Sequence, residues 1–358
     1  MEIHQLLVVA AYGDATTNEA LRLRGVFREL GPSHVFSCYA PDPRLKGVLE
    51  LRDYAQMESA RAGTNLLLVH FAMGHQELID FVMDRPEPLL MRYHNVTPPA
   101  LFADFDATFA AQLTDSRRQL AALKDRVRLA IAASSYSARD LQDLGYRATA
   151  VVPLLMDLEG LVATRPRPPT FPLPARPGPP VVMFTGRISP NKRFEDLLQA
   201  FHVLKTYLRP NAHLVLSGSH HHVGYLLSLQ RFQQELRLRD VVMPGHLSNA
   251  ELVALYRRAD VFLCLSEHEG FGAPLAEAMA FDVPVVARAA AAIPETVGQA
   301  AVLLPDGSPA LAAEAVHRVL EDAELRRRLV AAGRRRVADL EPAGLARRFQ
   351  DLVKGQAA

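Results

Sequence analysis

The cations Arg187 and Lys192 and the carboxylates Glu269 and Glu277 are the side chains whose types and spacing suggest a shared chemistry. A guanidinium grips phosphate oxygens as a planar fork, and an ammonium acts on them as a point charge. Carboxylates repel phosphate but accept hydrogen bonds from hydroxyls. Between the carboxylates stand Gly270, Phe271 and Gly272, where glycine lets an anionic ligand approach the backbone amides that open a helix. The ligand this describes has a diphosphate in the middle and polyols on either side: a nucleotide sugar. Cations at such a diphosphate would carry the charge that builds as a sugar–phosphate bond breaks. Glutamate at a helix start also complements the macrodipole, and Gly-Phe-Gly also makes a plain turn, so the stretch taken alone leaves both readings open.

Positioning these groups requires strand–loop–helix units. The apolar, β-prone run 261–265 reads as a buried strand that leads into the glycine loop. Pro274 then occupies a first helical turn, with Glu277 expected in that same turn. The run 181–185 is a second clear strand, followed by Gly186, Arg187 and Lys192 and by a helix over 194–208. Strand signals at 213–216, ending near Gly218, at 240–247, reaching His246, and at 283–287 complete an alternating pattern. In the first half, strands at 1–10, 34–39, 65–71, 89–94, 127–133 and 151–155 alternate with helical segments. Such alternation predicts doubly wound parallel sheets, whose ligands bind beyond the carboxyl ends of the strands. In the first half that rule directs attention to Gly13, Asp14, His70 and His94.

Glu269 through Glu277 resembles the Glu-x7-Glu motif of retaining glycosyltransferases of the GT-B fold, in particular family 4. Gly186, Arg187 and Lys192 resemble that family's phosphate-binding Gly-Arg and Lys element. Arg92-Tyr93-His94-Asn95-Val96-Thr97-Pro98 is similar to the Tyr-His-Asn-Ile-Thr-Pro segment of one bacterial subgroup, whose histidine faces the transferred sugar. Gly13-Asp14-Ala15-Thr16-Thr17-Asn18-Glu19 resembles the subgroup's Gly-Asp-Ala-x-x-Asn-Glu, which departs from the Gly-Gly loop of many members. The resemblance spans nearly the whole chain. It implies two Rossmann-like domains facing a central cleft, over 1–164 and 181–340, with a Pro-rich linker at 165–180 and a last helix, 341–358, returning to the first domain.

The implied activity is transfer of a hexose, with retention, from a UDP- or GDP-sugar to a glycan, lipid-linked or small-molecule acceptor. His94, Arg187, Lys192 and Glu269 would be catalytic. Glu277 would hold the ribose, Glu269 the hexose hydroxyls, and Gly270, Phe271 and Gly272 would offer backbone donors. Gly186, Gly218 and His246 complete the donor set, His246 in the turn beside the nucleobase. Gly13, Asp14 and Asn18 form an acceptor or phosphate loop, although Asp14 would equally cap the following helix. The rival readings are a GT-B epimerase or hydrolase acting on the nucleotide sugar, and a non-catalytic nucleotide-sugar-binding protein.

The composition bounds the remaining possibilities. The chain has 358 residues, 49% of them hydrophobic and 22% charged, enough for two ordinary cores. A net charge of +1 gives no electrostatic reason to expect nucleic acid. Arg117, Arg118, Lys124 and Arg126 offer a basic surface to an anionic membrane, but Asp115 and Asp125 interrupt it, which favours a solvated helix. The start of the chain lacks the pattern of a signal peptide, and Cys38 and Cys264 are far apart, so a cytoplasmic protein with inert thiols is expected. No cofactor is expected. No metal is expected either: the first half has no Asp-x-Asp pair at a strand end, and His220-His221-His222 reads as an exposed loop because adjacent residues rarely converge on one ion.

Overall fold

A computed structural model describes residues 1–62, 65–220 and 222–356. The chain forms two compact units: Met1–Ala100 with Ala107–Met156 and Leu340–Ala358, and Leu101–Asp106 with Asp157–Asp339.

Among the described residues the first unit holds one parallel sheet of β1 (Ile3–Leu7), β2 (Val35–Ser37), β3 (Val48–Glu50), β4 (Leu66–Phe71), β5 (Leu89–Tyr93), β6 (Val127–Ala132) and β7 (Thr149–Val151), in the order β3-β2-β1-β4-β5-β6-β7. The central strands β4 and β5 are buried along their whole length, as near-continuous apolar runs covered on both faces must be. The chain reverses direction across the sheet between β1 and β4, the place where such a sheet opens a crevice for ligands.

The helix Pro342–Lys354 returns to this unit. Leu345, Phe349 and Val353 recur every fourth residue, form one face and join a core with Ile3, Leu23, Phe27, Leu66, Leu68, Leu90 and Leu129.

The second unit holds β8 (Val181–Thr185), β9 (His213–Ser217), β10 (Val241–Gly245), β11 (Val261–Cys264), β12 (Val285–Arg288) and β13 (Ala301–Leu304), ordered β10-β9-β8-β11-β12-β13 and all parallel. Its direction reverses between β8 and β11, the strands that carry Arg187 and Glu269 in their trailing loops.

Several elements differ from the sequence expectation. The run 151–155 contributes only the end of β7: Val152 still donates its amide to the Ala132 carbonyl at 3.0 Å, but its own carbonyl accepts from Arg92 at 2.8 Å. β3 and β13, which the sequence reading did not place, are apolar but short edge strands, three and four residues long and partly exposed. The helix after β8 is regular only over Phe194–Val203 and widens into a π turn at Leu204–Leu208.

The change of unit falls after Met156, and the proline run 165–180 lies within the second unit. There the Arg258 guanidinium donates to the carbonyls of Pro174 and Pro179, and Arg176 donates to those of Arg258 and Ala259 at 3.0 and 2.8 Å. A segment without helix or ladder bonds is thus held by arginine side chains.

Candidate functional site

In the second unit the loop after β8 is built to meet the loop after β11. Ser189 donates to Asn191 Oδ1 at 2.8 Å, Asn191 Nδ2 donates to the His268 carbonyl at 3.2 Å, and the Asn191 carbonyl accepts from the Glu267 amide at 2.9 Å. These bonds pin the 3-10 turn Pro190–Lys192 against the central loop. Lys192 Nζ consequently lies 2.5 Å from Glu269 Oε2, with 17% and 11% of the two side chains exposed. Arg187 projects from the same loop, exposed, and its guanidinium has no partner among the described residues.

The central loop is anchored on its other side. The Glu269 carbonyl accepts from the Ala292 amide at 3.2 Å, and the Phe271 carbonyl accepts from Thr296 Oγ1 at 2.5 Å. Gly272 has φ +91° as the N-cap of the helix Ala273–Ala280, and a side chain there would meet Leu275 Cδ1 at 2.8 Å. Among the described residues the amides of Phe271, Gly272 and Ala273 have no acceptor, so a helix start with open donors stands beside Arg187 and Lys192 in the same sheet crevice.

Glu277 is not in the first turn of this helix, as the sequence reading expected, but in the second, because the left-handed Gly272 starts the helix at Ala273. Its carboxylate accepts from Tyr256 Oη at 2.8 Å. Burial raises the Glu277 pKa above 4.5, opposed by the Tyr256 bond, and burial beside that carboxylate raises the Tyr256 phenol well above 10. Tyr256 is fully buried, stacked on Phe281 at 5.0 Å.

Gly186 and Gly218 end β8 and β9 in contact. A Cβ on Gly218, whose φ is +152°, would collide with the Gly186 carbonyl at 1.7 Å. Only glycine permits that approach. His246 is exposed just beyond β10. Of the histidine run, His220 is exposed, His221 lies outside the described residues, and His222 is not solvent-facing: it pairs with Asp106 at 3.0 Å and packs on Phe102.

In the first unit His94 follows β5 at a sharp turn. Asn95 adopts φ +77° and donates to Ser137 Oγ at 3.0 Å, while the His94 amide bonds the Phe71 carbonyl at 2.9 Å. Arg92 and Glu19, both fully buried, form a bidentate pair at 2.9 and 2.8 Å beneath it. His70 Nδ1 lies 3.0 Å from His94 Nε2. Burial holds both imidazoles well below 6.5, Arg92 adding to it for His94. Asp14 caps the helix Ala15–Arg28 through the Thr17 amide at 3.0 Å, and Gly13 and Asn18 flank it.

Two triads, Glu19 with His70 and His94, and Cys38 with His75 and Glu77, bring potential ligand atoms within 4.8 Å of one another. In the first, Glu19 spends both oxygens on Arg92. In the second, burial pushes the Cys38 thiol up to about 12. The Cys264 thiol is likewise raised, to about 11.

Ser189, Asn191, Tyr256 and Thr296 were not singled out by the sequence reading, and Glu19 and Arg92 were quoted only within motifs, without a role. Glu19 and Arg92 left a signal: Glu19 shares a helix face with Leu23 and Phe27, and Arg92 interrupts an apolar strand.

Residues 170–336 match the family model Glycosyl transferases group 1. Over 271 residues the chain is 30% identical to the D-inositol 3-phosphate glycosyltransferase of Kineococcus radiotolerans, an alignment covering 70% of this chain and 62% of that protein. It is 31% identical over 141 residues to the O-antigen chain mannosyltransferase B of Escherichia coli, covering 39% of this chain and 37% of that one. The chain thus spans less than two thirds of each of these relatives. Among solved structures, Anabaena HepE in complex with UDP and glucose superposes with a TM-score of 0.76 at 17% identity, covering 99% of this chain and 100% of that one. The fold is therefore that of the GT-B proteins, with two Rossmann-like parallel-sheet domains.

Proposed function

We propose that the chain is a retaining, metal-independent glycosyltransferase that moves a hexose from a UDP- or GDP-sugar to a glycan, lipid-linked or small-molecule hydroxyl. The observation that carries this reading is the contact between Lys192 and Glu269 at the sheet reversal, beside Arg187 and helix-start amides that have no partner among the described residues. Diphosphate needs the cations and amides; a hexose needs a carboxylate acceptor next to them. On donor binding Lys192 exchanges Glu269 for phosphate, which frees Glu269 to accept from sugar hydroxyls. As the C1–O bond to the diphosphate breaks, Arg187 and Lys192 take up the leaving group's charge, and C1 bonds the acceptor oxygen, whose proton leaves with the phosphate. Glu277, held by Tyr256, accepts from the ribose.

An epimerase or hydrolase is less well supported, because it would need a carboxylate pair facing the anomeric carbon, whereas Glu269 stands against Lys192, a cation suited to the diphosphate, and Glu277 is held by Tyr256. Product analysis with a panel of nucleotide sugars tests the proposal. Nucleotide release that requires acceptor supports transfer, release without acceptor supports hydrolysis, and binding without turnover supports a sensor. Activity should also survive chelator, and loss on chelation restored by Mg²⁺ or Mn²⁺ would contradict metal independence.

A further inference from the structure

Beneath His94 runs a chain of hydrogen bonds whose direction is dictated from one end. Gln5, on β1, donates its Nε2 to the Ala20 carbonyl at 2.9 Å. A carbonyl only accepts, so the amide orientation is settled and Gln5 Oε1 faces His70. His70 Nε2 lies 2.9 Å from that oxygen and must carry the proton. Both side chains are almost wholly buried, and burial keeps the His70 ring neutral, so its Nδ1 is a bare acceptor. His94 Nε2, 3.0 Å from His70 Nδ1, must then be the N–H. Glu19 Oε2, 3.7 Å from the same nitrogen, favours a proton there too. Among the described residues nothing bonds the remaining nitrogen, His94 Nδ1.

We propose that Gln5 and His70 are positioning residues that lock His94 as its Nε2–H tautomer, leaving Nδ1 to accept a hydrogen bond from a hydroxyl of the bound substrate. A neutral acceptor suits a sugar hydroxyl and rejects a phosphate or carboxylate oxygen, which brings no proton to donate. The proposal rests on the glycosyl-transfer reading for its substrate, but the tautomer is a property of the free protein.

The test uses the full chain labelled with 15N-histidine. Two-bond proton–nitrogen correlation spectra, assigned through His94→Asn, should show His94 with protonated Nε2 and unprotonated Nδ1. Gln5→Met, close in size and without an acceptor oxygen, should mix the two tautomers. In transfer assays His70→Leu should lower kcat by roughly 10²-fold while nucleotide diphosphate affinity is unchanged. His70→Asn, whose Oδ1 stands where Nδ1 stood, should recover to within about three-fold of the starting rate. A protonated Nδ1 in the starting protein, a pattern untouched by Gln5→Met, or His70→Asn failing alongside His70→Leu would each overturn the proposal. If no donor turns over, the glycosyl-transfer reading falls, and the spectra still decide the relay.

Discussion

Lys192 and Glu269 neutralise one another in the free protein, and each is assigned a different part of the donor. Lys192→Ala should lower the transfer rate by about 10²-fold, because a cation at a leaving group in a water-poor site is worth several kcal/mol. His220→Ala, on an exposed loop of the same unit, should stay within about two-fold. A Lys192→Ala rate within about two-fold of the starting one would remove the leaving-group role. The glutamates should separate. Glu277→Ala should weaken nucleotide diphosphate by about 10- to 100-fold in calorimetry, the worth of a hydrogen bond to a charged group. Glu269→Gln should spare that affinity and lower the rate, since interactions that strengthen as the ring flattens appear in turnover. The opposite pattern would reverse the proposed orientation of the donor. Because the Glu277 carboxyl is raised by burial, its charge costs the folded state stability as pH rises from 4.5 through the folded value. Glu277→Gln should therefore raise the melting temperature at pH 8 and change it little at pH 4.

At the scale of elements, the first unit depends on a helix face and a buried ion pair that meet. Arg92 stands under the ring of Phe349, 5.1 Å from its centroid, so the returning helix Pro342–Lys354 covers the Arg92–Glu19 pair. Glu19→Gln or Arg92→Met should destabilise by about 3–5 kcal/mol by stranding the other charge, while a paired apolar replacement should cost less than either. Denaturant melts of the two single variants and the double variant decide this, and additive losses would mean the pair is not coupled. The elements the sequence shows best are those buried on both faces: β4, β5, β8 and β11 read as apolar runs because parallel strands need no polar side. β3 and β13 lie at sheet edges and are only three and four residues long, too short to show the run or the alternation by which a strand is read. The spacing of Arg187, Lys192, Glu269 and Glu277 is legible because it is local. The links that hold those residues, Asn191 to His268 and Tyr256 to Glu277, join separate segments through polar side chains that look like loop or surface in isolation.

For the whole molecule, buried histidines set the acid limit. His4, His70 and His94 are each held below 6.5 with burial as the leading cause, so the unfolded chain binds more protons than the folded one at low pH. Stability contributed by keeping them neutral is complete above pH 6.5 and is lost as pH falls through their folded values. Melting temperature should hold between pH 7 and 8 and drop from pH 6.5 downward, and His70→Asn should flatten that slope; an unchanged slope would mean His70 is not neutral. None of the described helices is long and apolar enough to cross a membrane. The central claim is transfer from a nucleotide sugar, and the most direct measurement is proton NMR of the products formed from α-linked UDP- and GDP-hexoses with and without a panel of hydroxyl acceptors. The account predicts an α-linked glycoside and free nucleotide diphosphate, both only when acceptor is present. Free hexose without acceptor, a β-linked product, or tight donor binding with no product at all would contradict it.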